Sequence, residues 1–319
     1  MKQRRGLVPF IVRKLVAAIP LLIGVTLITF TLTVHFGPDP AFSMLGKNPS
    51  EAEIESLRRE LGQDRPFLLR YIAYLSRLVR LDLGHTETTG EKVVGVLART
   101  IPVSLMLLAP GFILGTLLAL VLAMSAAWHR GTRLDRLITG ASAIGMSLSF
   151  VIVIIALQAI FGVWLGWFPT RGWDVDGPLS YLAHVAVPTL AFMLASVGYN
   201  TRFFRAMLVN AMSADHVRTA RAYGATPVRI MTHHVLRGCL LPIITRIVFT
   251  VPALVISGSL LIESHFSVPG IGRVTYQAIL SGDQPVLMAV VGLSAVLFAL
   301  TVIVADGLSR LADPRIRLT

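Results

Sequence analysis

Long apolar stretches alternate with short polar segments along the whole chain, a pattern typical of helices that cross a membrane. Crossing a hydrocarbon core of roughly 30 Å takes about 20 apolar residues in a helix. Six stretches reach or approach this length: Leu15–Phe36, Ile101–Ala127, Leu137–Leu165, His184–Thr201, Leu240–Ile262 and Val286–Leu308. We predict one transmembrane helix for each stretch, and therefore an all-α, polytopic fold.

The composition supports this assignment. Of the 319 residues, 54% are hydrophobic and 14% are charged, whereas charged residues make up about a quarter of soluble domains. The first apolar stretch is too long for the core of a cleaved signal peptide, and no small-residue cleavage site follows it, so we expect it to be retained. Cys239 is the only cysteine, which excludes an internal disulfide.

Outside residues 37–100, the basic residues are concentrated on one side of the predicted topology. That side comprises the N-terminus, the 129–136 loop, the 202–238 loop and the C-terminal tail. The loops on the opposite side carry only Arg171 and Arg273. The positive-inside rule then places both termini in the cytoplasm. The net charge of +12 is explained by topology, and we do not expect a nucleic-acid partner.

This topology divides the chain into four parts: residues 1–36 (cytoplasmic N-terminus and first span), 37–100 (an external subdomain), 101–308 (a core of five spans with the 202–238 loop) and 309–319 (a cytoplasmic tail). In the external part, Ser50 is placed to cap a helix that runs to Leu61, with Gly62 at its end. Apolar spacing predicts a second helix over Phe67–Leu81. The subdomain is too short to bury an independent core.

Two of the predicted spans carry small residues four positions apart: Gly111 with Gly115, and Ala141 with Gly145 and Ser149. Such faces allow helices to pack closely in a membrane. We expect them to serve contacts inside the chain rather than contacts between subunits.

The longest polar segment on the cytoplasmic side is predicted to form two short helices hinged at Gly224. Ser213 is placed to cap the first helix, with Asp215 in its opening turn near the positive end of the helix dipole. Glycine permits the sharp reversal. Thr226 is then placed to cap the second helix, and Pro227 suits its first position.

The polar segment comprises residues 213–238. Its second helix has two distinct faces at helical spacing. Its apolar and basic faces consist, respectively, of Val228, Met231 and Val235 and of Arg229, His233 and Arg237. A hinged helix pair that projects between spans suggests a docking surface for another protein. The alternative is that the basic residues only set topology and that the linker lies on lipid headgroups.

The sequence shows no arrangement typical of an enzyme, a metal centre or a nucleotide site. Gly46-Lys47 resembles part of a phosphate-binding loop, but Ala41 stands in place of the first glycine and Asn48 in place of Ser or Thr. His233 and His234 are adjacent, so on a helix they point about 100° apart and cannot grip one metal. We therefore expect no catalytic residue and no metal site.

Charged residues inside the predicted spans are few. Arg246 and Asp306 lie near the cytoplasmic ends of their spans, and Glu263 lies near an outer end. A proton- or sodium-coupled carrier needs ionisable groups at mid-depth. This distribution disfavours a secondary carrier.

Several motifs together resemble those of ABC-importer permeases. The run Arg218-Thr-Ala-Arg-Ala-Tyr-Gly224, with Leu241-Pro242 downstream, resembles the cytoplasmic "EAA" loop in the variant of the dipeptide, oligopeptide and nickel class, first-permease type. Further matching motifs are spread over residues 10–317: Ala18-Ile-Pro20 with Gly24, Asp39-Pro40, Leu61-Gly-x-Asp64-x-Pro66, Tyr71, Asp82-Leu-Gly84, Gly258 with Glu263, Phe266-x-x-Pro269-Gly-x-Gly272 and Asp313-Pro-Arg-Ile-Arg317.

The chain departs from the family pattern at two places. Leu81 stands where a glycine usually precedes the Asp-Leu-Gly motif, and Gly37-Pro38 reverses the usual order of proline and glycine. These changes discourage the naming of a particular transporter.

The resemblance implies a type I ABC-importer fold and a heteromeric importer in the bacterial inner membrane. This chain would form half of the translocation pathway with a second, similar permease, surrounded by membrane lipid. Two cytoplasmic ATPase subunits would use ATP and Mg²⁺, and an external binding protein would deliver the solute. The chain itself would bind no cofactor and would not be an enzyme.

The resemblance also implies two groups of site residues. The ATPase-coupling residues are Arg218, Thr219, Ala220, Arg221, Ala222, Gly224, Ala225 and Arg229. The residues of an external gate or binding-protein contact are Glu263, Phe266, Pro269, Gly270 and Gly272. A packing loop is an equally open interpretation of the second group.

Di- or oligopeptides are the expected solutes, and nickel, a metal chelate, an opine or glutathione remain open within the same class. A stand-alone secondary carrier and an intramembrane hydrolase are the rival interpretations. The hydrolase would need a nucleophile and a base that the sequence does not show.

Overall fold

The computed structural model describes residues 7–37, 50–60, 64–255 and 259–312, and it is almost entirely helical. A single β-bridge joins His85 to Lys92. The helices are α1 (Leu7–Phe36), α2 (Glu51–Glu60), α3 (Phe67–Val79), α4 (Val93–Trp128), α5 (Arg133–Ser147), α6 (Phe150–Leu157), α7 (Pro178–Met212), α8 (Asp215–Ala222), α9 (Pro227–Arg229), α10 (Leu236–Ala253), α11 (Ser259–Phe266), α12 (Ile271–Ser281) and α13 (Gln284–Ala312). Two π-helical segments, Gln158–Trp164 and Ile230–Val235, continue α6 and α9.

Five single helices in the described residues are long and apolar enough to span a membrane. They are Val16–Phe36, Val93–Trp128, Pro178–Met212, Pro227–Pro252 and Gln284–Leu308. A bent pair, Arg133–Ser147 with Phe150–Trp164, brings the number to six if the pair is one span. The all-α, polytopic prediction is confirmed, and each predicted span overlaps one of these candidates.

The third predicted span, Leu137–Leu165, is wrong as a single straight helix. The two helices of the pair meet at an angle of 94°. The break lies at Leu148 and Ser149, whose ψ angles of 132° are extended. A count of apolar residues does not reveal this break, whereas glycine and serine residues close together, here Gly145, Ser147 and Ser149, are a known cause of sharp bends.

The fifth predicted span, Leu240–Ile262, begins too late. Helix runs without interruption from Pro227 through the π-helical segment to Ala253, so the second short helix of the polar segment is the first part of the span. Residues 256–258 lie outside the described residues. The fourth span is also longer than predicted, because α7 covers Pro178–Met212.

By its internal contacts the chain divides into two units: Met1–Pro102 with Pro269–Ile303 (unit 1), and Val103–Val268 with Val304–Thr319 (unit 2). In unit 1, α3 packs on α1 through an aromatic cluster of Phe30, Tyr71 and Tyr74. The Tyr71 hydroxyl donates to the Ile23 carbonyl at 2.9 Å and lies 2.9 Å from Thr26 Oγ1. Buried hydroxyls are satisfied in this way at little cost.

Ser50 caps α2, as predicted. Glu53 N donates to Ser50 Oγ at 3.3 Å, and Ser50 N donates back to Glu53 Oε2 at 2.9 Å. These reciprocal bonds form a capping box, and the bonds from Ser50 lower the pKa of the Glu53 carboxyl. Gly62, the predicted end of this helix, lies outside the described residues.

The carboxylate of Asp283 organises the polar part of unit 1. Asp283 Oδ2 accepts from Glu87 N at 3.0 Å and from Thr88 Oγ1 at 3.2 Å, and its Oδ1 accepts from Val286 N at 3.3 Å. One buried carboxylate therefore holds the 86–90 turn and caps α13. No sequence motif pointed to this contact, because its partners are nearly 200 residues apart.

Leu81 ends α3 with a left-handed backbone, φ 56°. Leu81 N donates to the Leu78 carbonyl and Asp82 N donates to the Arg77 carbonyl, which is the hydrogen-bond pattern of a Schellman motif. A glycine usually occupies this position. Leu81 occupies it here and is 70% exposed. The departure noted in the sequence is therefore a site of backbone strain.

In unit 2, α5 packs along α7 where α7 has no side chain. A Cβ at Gly198 would lie 2.6 Å from the Ser142 carbonyl oxygen. Gly111 and Gly115 of α4 likewise face Phe192 and Ser196 of α7. Gly145 of the second predicted face lies opposite the Leu194 carbonyl oxygen, which a Cβ would approach to 3.7 Å. The predicted contacts of Gly111, Gly115 and Gly145 therefore lie inside the chain.

We expect Leu81→Gly to raise the free energy of unfolding by about 1 kcal/mol, because the left-handed conformation costs a non-glycine residue roughly 1–2 kcal/mol and glycine gives part of this back as unfolded-chain entropy. Thermal unfolding in detergent measures the effect. A thiol-reactive fluorophore reports it, because the single cysteine, Cys239, is buried.

Leu81→Ala is the matched control, since it removes the same exposed side chain and keeps the strain. It should give no gain in unfolding temperature. Equal stabilisation by alanine and glycine would show that backbone strain at this position is not the cause.

Candidate functional site

The polar segment around α8 is seated on the core of unit 2 by one apolar face. Val217 and Ala220 of α8 are 1% and 8% exposed. Val217 belongs with Phe204 and Leu208 of α7 to one cluster of buried side chains. The segment is therefore a fixed part of unit 2 rather than a loose linker.

The π-helical segment that follows supplies the rest of this apolar seat. Ile230, Met231 and Val235 are 2%, 4% and 0% exposed and join the same cluster. Val228, which the sequence analysis placed on the apolar face with Met231 and Val235, is 72% exposed. That part of the prediction is wrong, because the wider π-helical turn shifts the register of the face away from ideal α-helical spacing.

The reversal between the two helices is a Schellman motif centred on Gly224. Its φ is 73°. Gly224 N donates to the Arg221 carbonyl at 3.0 Å and Ala225 N donates to the Ala220 carbonyl at 3.1 Å. Ala225 packs against the buried cluster, the apolar contact that often accompanies this motif. The predicted hinge at Gly224 is confirmed as a tight turn.

The predicted caps have mixed outcomes. Thr226 accepts from Arg229 N at 3.4 Å and Pro227 occupies the first turn, so this cap is confirmed. Ser213 does not cap α8. Ala214 occupies that position without a side-chain bond, and Ser213 Oγ donates to the Asn210 carbonyl at the end of α7 instead.

The opposite face of the segment is exposed and carries both charge and apolar area. Tyr223 and Val228 are 88% and 72% exposed, and the Arg218 side chain is 78% exposed with Asp215 at 3.9 Å as an ion-pair partner. Such a pair contributes at most a few tenths of a kcal/mol. Tyr223 was not among the predicted site residues, although its place next to the hinge glycine was a usable signal.

The eight predicted coupling residues thus separate into two sets. Ala220 faces the core and Ala225 is partly buried against it. The exposed residues are Arg218, Thr219, Arg221, Ala222, Gly224 and Arg229. The inward pair seats the segment, and the outward set is available to a partner.

A buried ion pair fixes the helix that leads into this segment. Arg205 of α7 donates from Nε and Nη2 to the two carboxylate oxygens of Asp135 in α5, both at 2.6 Å. Gly131 N donates to Asp135 Oδ2 at 2.9 Å, and the Asp135 residue is 5% exposed. No sequence motif indicated this pair, because two residues 70 positions apart leave no local pattern.

Two of the predicted gate residues, Glu263 and Phe266, lie on α11 in unit 2 and are 0% and 3% exposed. The Phe266 carbonyl accepts from Gly172 N at 2.9 Å. Beside it, His265 Nε2 lies 2.7 Å from Gln158 Oε1, and Gln158 Nε2 donates to the Thr170 carbonyl at 2.6 Å. Gln158 therefore joins the first π-helical segment to the 170–172 loop and to α11.

The other three gate residues lie in unit 1. Gly270 and Gly272 are buried and Pro269 is exposed, and Gly270 precedes α12 as its N-cap residue. Pro269, Gly270 and Gly272 thus lie at the start of α12. A role of these residues at a gate or in contact with a binding protein stays a prediction.

The fold defines the class of protein to which the chain belongs. It matches a chain of the MetNI methionine ABC transporter, solved in inward-facing conformations, with a TM-score of 0.57 at 19% sequence identity. The match covers 69% of this chain and 97% of that chain. The fold is that of a type I ABC-importer permease.

The sequence then gives the family. Residues 95–318 match the family described as "Binding-protein-dependent transport system inner membrane component". Residues 7–107 match the family that describes the N-terminal part of the membrane component of these systems. The chain belongs to this family of inner-membrane, multi-pass permease subunits.

Curated relatives that match the chain over nearly their whole length are named as peptide transport permeases. A putative peptide transport system permease protein of Brucella abortus (strain 2308) is 31% identical, over 96% of this chain and 98% of the relative. The oligopeptide transport system permease protein AppB of Bacillus subtilis (strain 168) is 29% identical, over 96% and 98%. The recognition of a peptide-class permease from the sequence is confirmed.

We expect Arg205→Ala to lower the free energy of unfolding by about 3 kcal/mol, because it leaves the Asp135 carboxylate buried without its bidentate partner. The thiol-reactive unfolding assay measures the change. In the double variant with Asp135→Asn, the loss should be smaller than the sum of the two single losses.

Arg218→Ala is the control for this prediction, since it breaks an ion pair whose two side chains are 78% and 98% exposed. Its effect should stay within about 0.5 kcal/mol. Arg205→Ala and Arg218→Ala with equal, small effects would contradict a structural role for the buried pair.

Proposed function

We propose that the chain is the permease subunit of an ATP-driven importer for di- or oligopeptides, and that it forms half of the translocation pathway. A second, similar permease completes the pathway, two ATPase subunits in the cytoplasm supply the energy, and an external binding protein delivers the solute. The peptide names of relatives in Brucella and Bacillus support the solute class.

One observation carries the coupling part of this proposal. The 215–229 segment is seated in the core through Val217 and Ala220, yet it exposes Tyr223, Val228 and several arginines. A surface helix that leaves large apolar and basic side chains uncovered beside a rigid anchor is suited to contact another protein. We assign the ATPase to this surface.

The seat also explains how motion enters the spans. From Pro227 the helix continues without a break into the candidate span that ends at Pro252, and α8 follows directly on α7. A force applied to the Gly224 turn is therefore transmitted to two spans through packed helices, as rigid-body transitions require. The Asp135–Arg205 pair joins a third helix, α5, to α7, so α5 would move together with these two spans.

The orientation follows from this assignment together with the basic residues of the loops. Segment 202–238 must face the compartment that holds ATP, which agrees with the positive-inside rule. Both termini then lie in the cytoplasm. We assign ATP and Mg²⁺ to the partner subunits and none to this chain.

We expect Gly224→Asp to leave the importer assembled and to lower solute uptake at least about ten-fold, equal to a loss of about 1.4 kcal/mol in coupling. A side chain at this position meets no atom of the chain within 4 Å, so it would stand on the open face that we assign to the ATPase. ATP hydrolysis and solute uptake, measured in the same proteoliposomes, separate loss of coupling from loss of assembly.

Gly90→Asp is the matched control. Gly90 has φ 70° and equally open surroundings, so the substitution brings the same backbone strain to a turn outside the coupling segment. Normal solute-stimulated transport in Gly224→Asp would defeat the assignment of this surface to the ATPase. Equal losses in the two variants would also defeat it.

A further inference from the structure

A cavity of about 430 Å³ opens in unit 1 between α1, α3, the 82–87 loop and the start of α13. Its volume lies within the range of roughly 300–1,000 Å³ that small-molecule sites occupy. Apolar side chains on its wall include those of Phe30, Val34, Leu69, Leu78 and Met288. Its polar wall includes Arg65, Arg70, Arg77, Asp82, Glu87 and Gln284.

The polar wall carries charges of both signs in separate places. Arg70 and Arg77 are seven residues apart on α3, so they lie on one face of that helix, and Arg65 precedes the helix. Asp82 and Glu87 come from the following loop. The cavity thus offers guanidinium groups along one helix and carboxylates along one loop.

The carboxylate of Glu87, one of the residues of the polar wall, has an oxygen whose hydrogen bonding is not satisfied by the described residues. Its Oε2 is buried and has no hydrogen-bond partner among the residues that the structure describes. Burial first, and the nearby Asp283 second, raise the pKa of this carboxyl to about 7. Glu87 is also one of the residues that line the cavity, so a cation in the cavity would stabilise the charged form of its carboxyl group.

The apolar wall places the cavity at the end of the membrane spans. Phe30 and Val34 belong to the last two turns of α1, whose candidate span ends at Phe36. Met288 lies in the second turn of α13, whose span begins at Gln284. Basic and aromatic side chains at such span ends lie at the level of lipid headgroups.

Helix α3 has the composition of an interfacial helix. Leu68, Ile72 and Val79 are 64%, 53% and 83% exposed, while Tyr71 and Tyr74 hold the helix on α1. A helix with exposed apolar side chains and several arginines is typical of the membrane surface. Acyl chains are therefore the available occupant beside the apolar wall.

We propose that this cavity binds the headgroup of an aminophospholipid, with the phosphate toward Arg65, Arg70 and Arg77 and the primary ammonium toward Glu87 and Asp82. A guanidinium cluster suits a phosphate diester. A primary ammonium donates three hydrogen bonds, whereas a quaternary ammonium donates none and a glycerol headgroup carries no positive charge. This inference does not depend on the transported solute or on the ATPase.

The experiment uses the full chain in detergent, freed of lipid and titrated with phosphatidylethanolamine or phosphatidylcholine of identical acyl chains. Native mass spectrometry counts the bound lipid. We expect the wild type to prefer phosphatidylethanolamine about ten-fold, the effect of one charge-assisted hydrogen bond. Glu87→Gln should abolish the preference while binding of phosphatidylcholine stays unchanged.

Glu91→Gln is the matched control, since Glu91 lies four residues after Glu87, pairs with Arg99 and is not among the residues that line the cavity. It should keep the preference. Arg77→Ala should weaken the binding of both lipids, because they share the phosphate. A wild type that binds both lipids equally, or a Glu87→Gln variant that retains the preference, would overturn the proposal.

Free phosphoethanolamine is the third arm of the experiment. It carries the same headgroup chemistry without acyl chains, so we expect it to compete only weakly. Competition as strong as that of the intact lipid would show that the occupant is a soluble zwitterion and would overturn the assignment to lipid.

The pH dependence provides a separate readout. Asp283 acts directly on the Glu87 carboxyl. The other charged groups of the cavity wall are Asp82, Arg65, Arg70 and Arg77. Because the pKa of Glu87 is raised to about 7, its carboxylate is lost by protonation as the pH falls below that value. The preference for phosphatidylethanolamine should therefore be present at pH 8 and absent at about pH 5.5. A preference that is constant over this range would contradict the role of Glu87.

Discussion

The burial of one apolar face of α8 within unit 2 is the contact on which the proposed coupling surface depends. Val217 belongs to the same cluster as Phe204, Ile230 and Val235, and Ala220 is also buried, so α7, α8 and the following span share one close-packed core. A close-packed core transmits displacement because its side chains have no free volume into which to relax. Without this seat, the exposed arginines and Tyr223 would move independently of the spans.

Most of the fold follows from sequence pattern alone, because long apolar runs have one solution in a membrane. The Gly224 turn, the Thr226 cap and the Ser50 cap were also predictable, since each depends on residues within a few positions of one another. What the sequence did not show is non-local or depends on exact register. The 94° bend after Ser147, the exposure of Val228 and the Asp135–Arg205 pair all belong to this group.

The charges of unit 2 serve two different purposes, and only their burial distinguishes them. Arg205 is engaged in a bidentate pair with a carboxylate that is 5% exposed, where removal of one partner is costly. Arg218 has a side chain that is 78% exposed, where an ion pair contributes little to stability. The positive charge of Arg218 therefore adds little to the stability of the fold, and it suits the proposed contact with the ATPase and the topology of the chain.

The same helix ending occurs twice in the chain, once with glycine and once with leucine. Gly224 and Leu81 have φ angles of 73° and 56° and sit in the same pattern of closing hydrogen bonds. The backbone therefore tolerates a side chain at such a turn where the surface beyond it is open. At Gly224 nothing in the chain lies within 4 Å of a Cβ, so space within the chain does not require glycine there. Relief of backbone strain favours glycine at both turns, and under the proposed function close approach of the ATPase adds a reason at Gly224 alone.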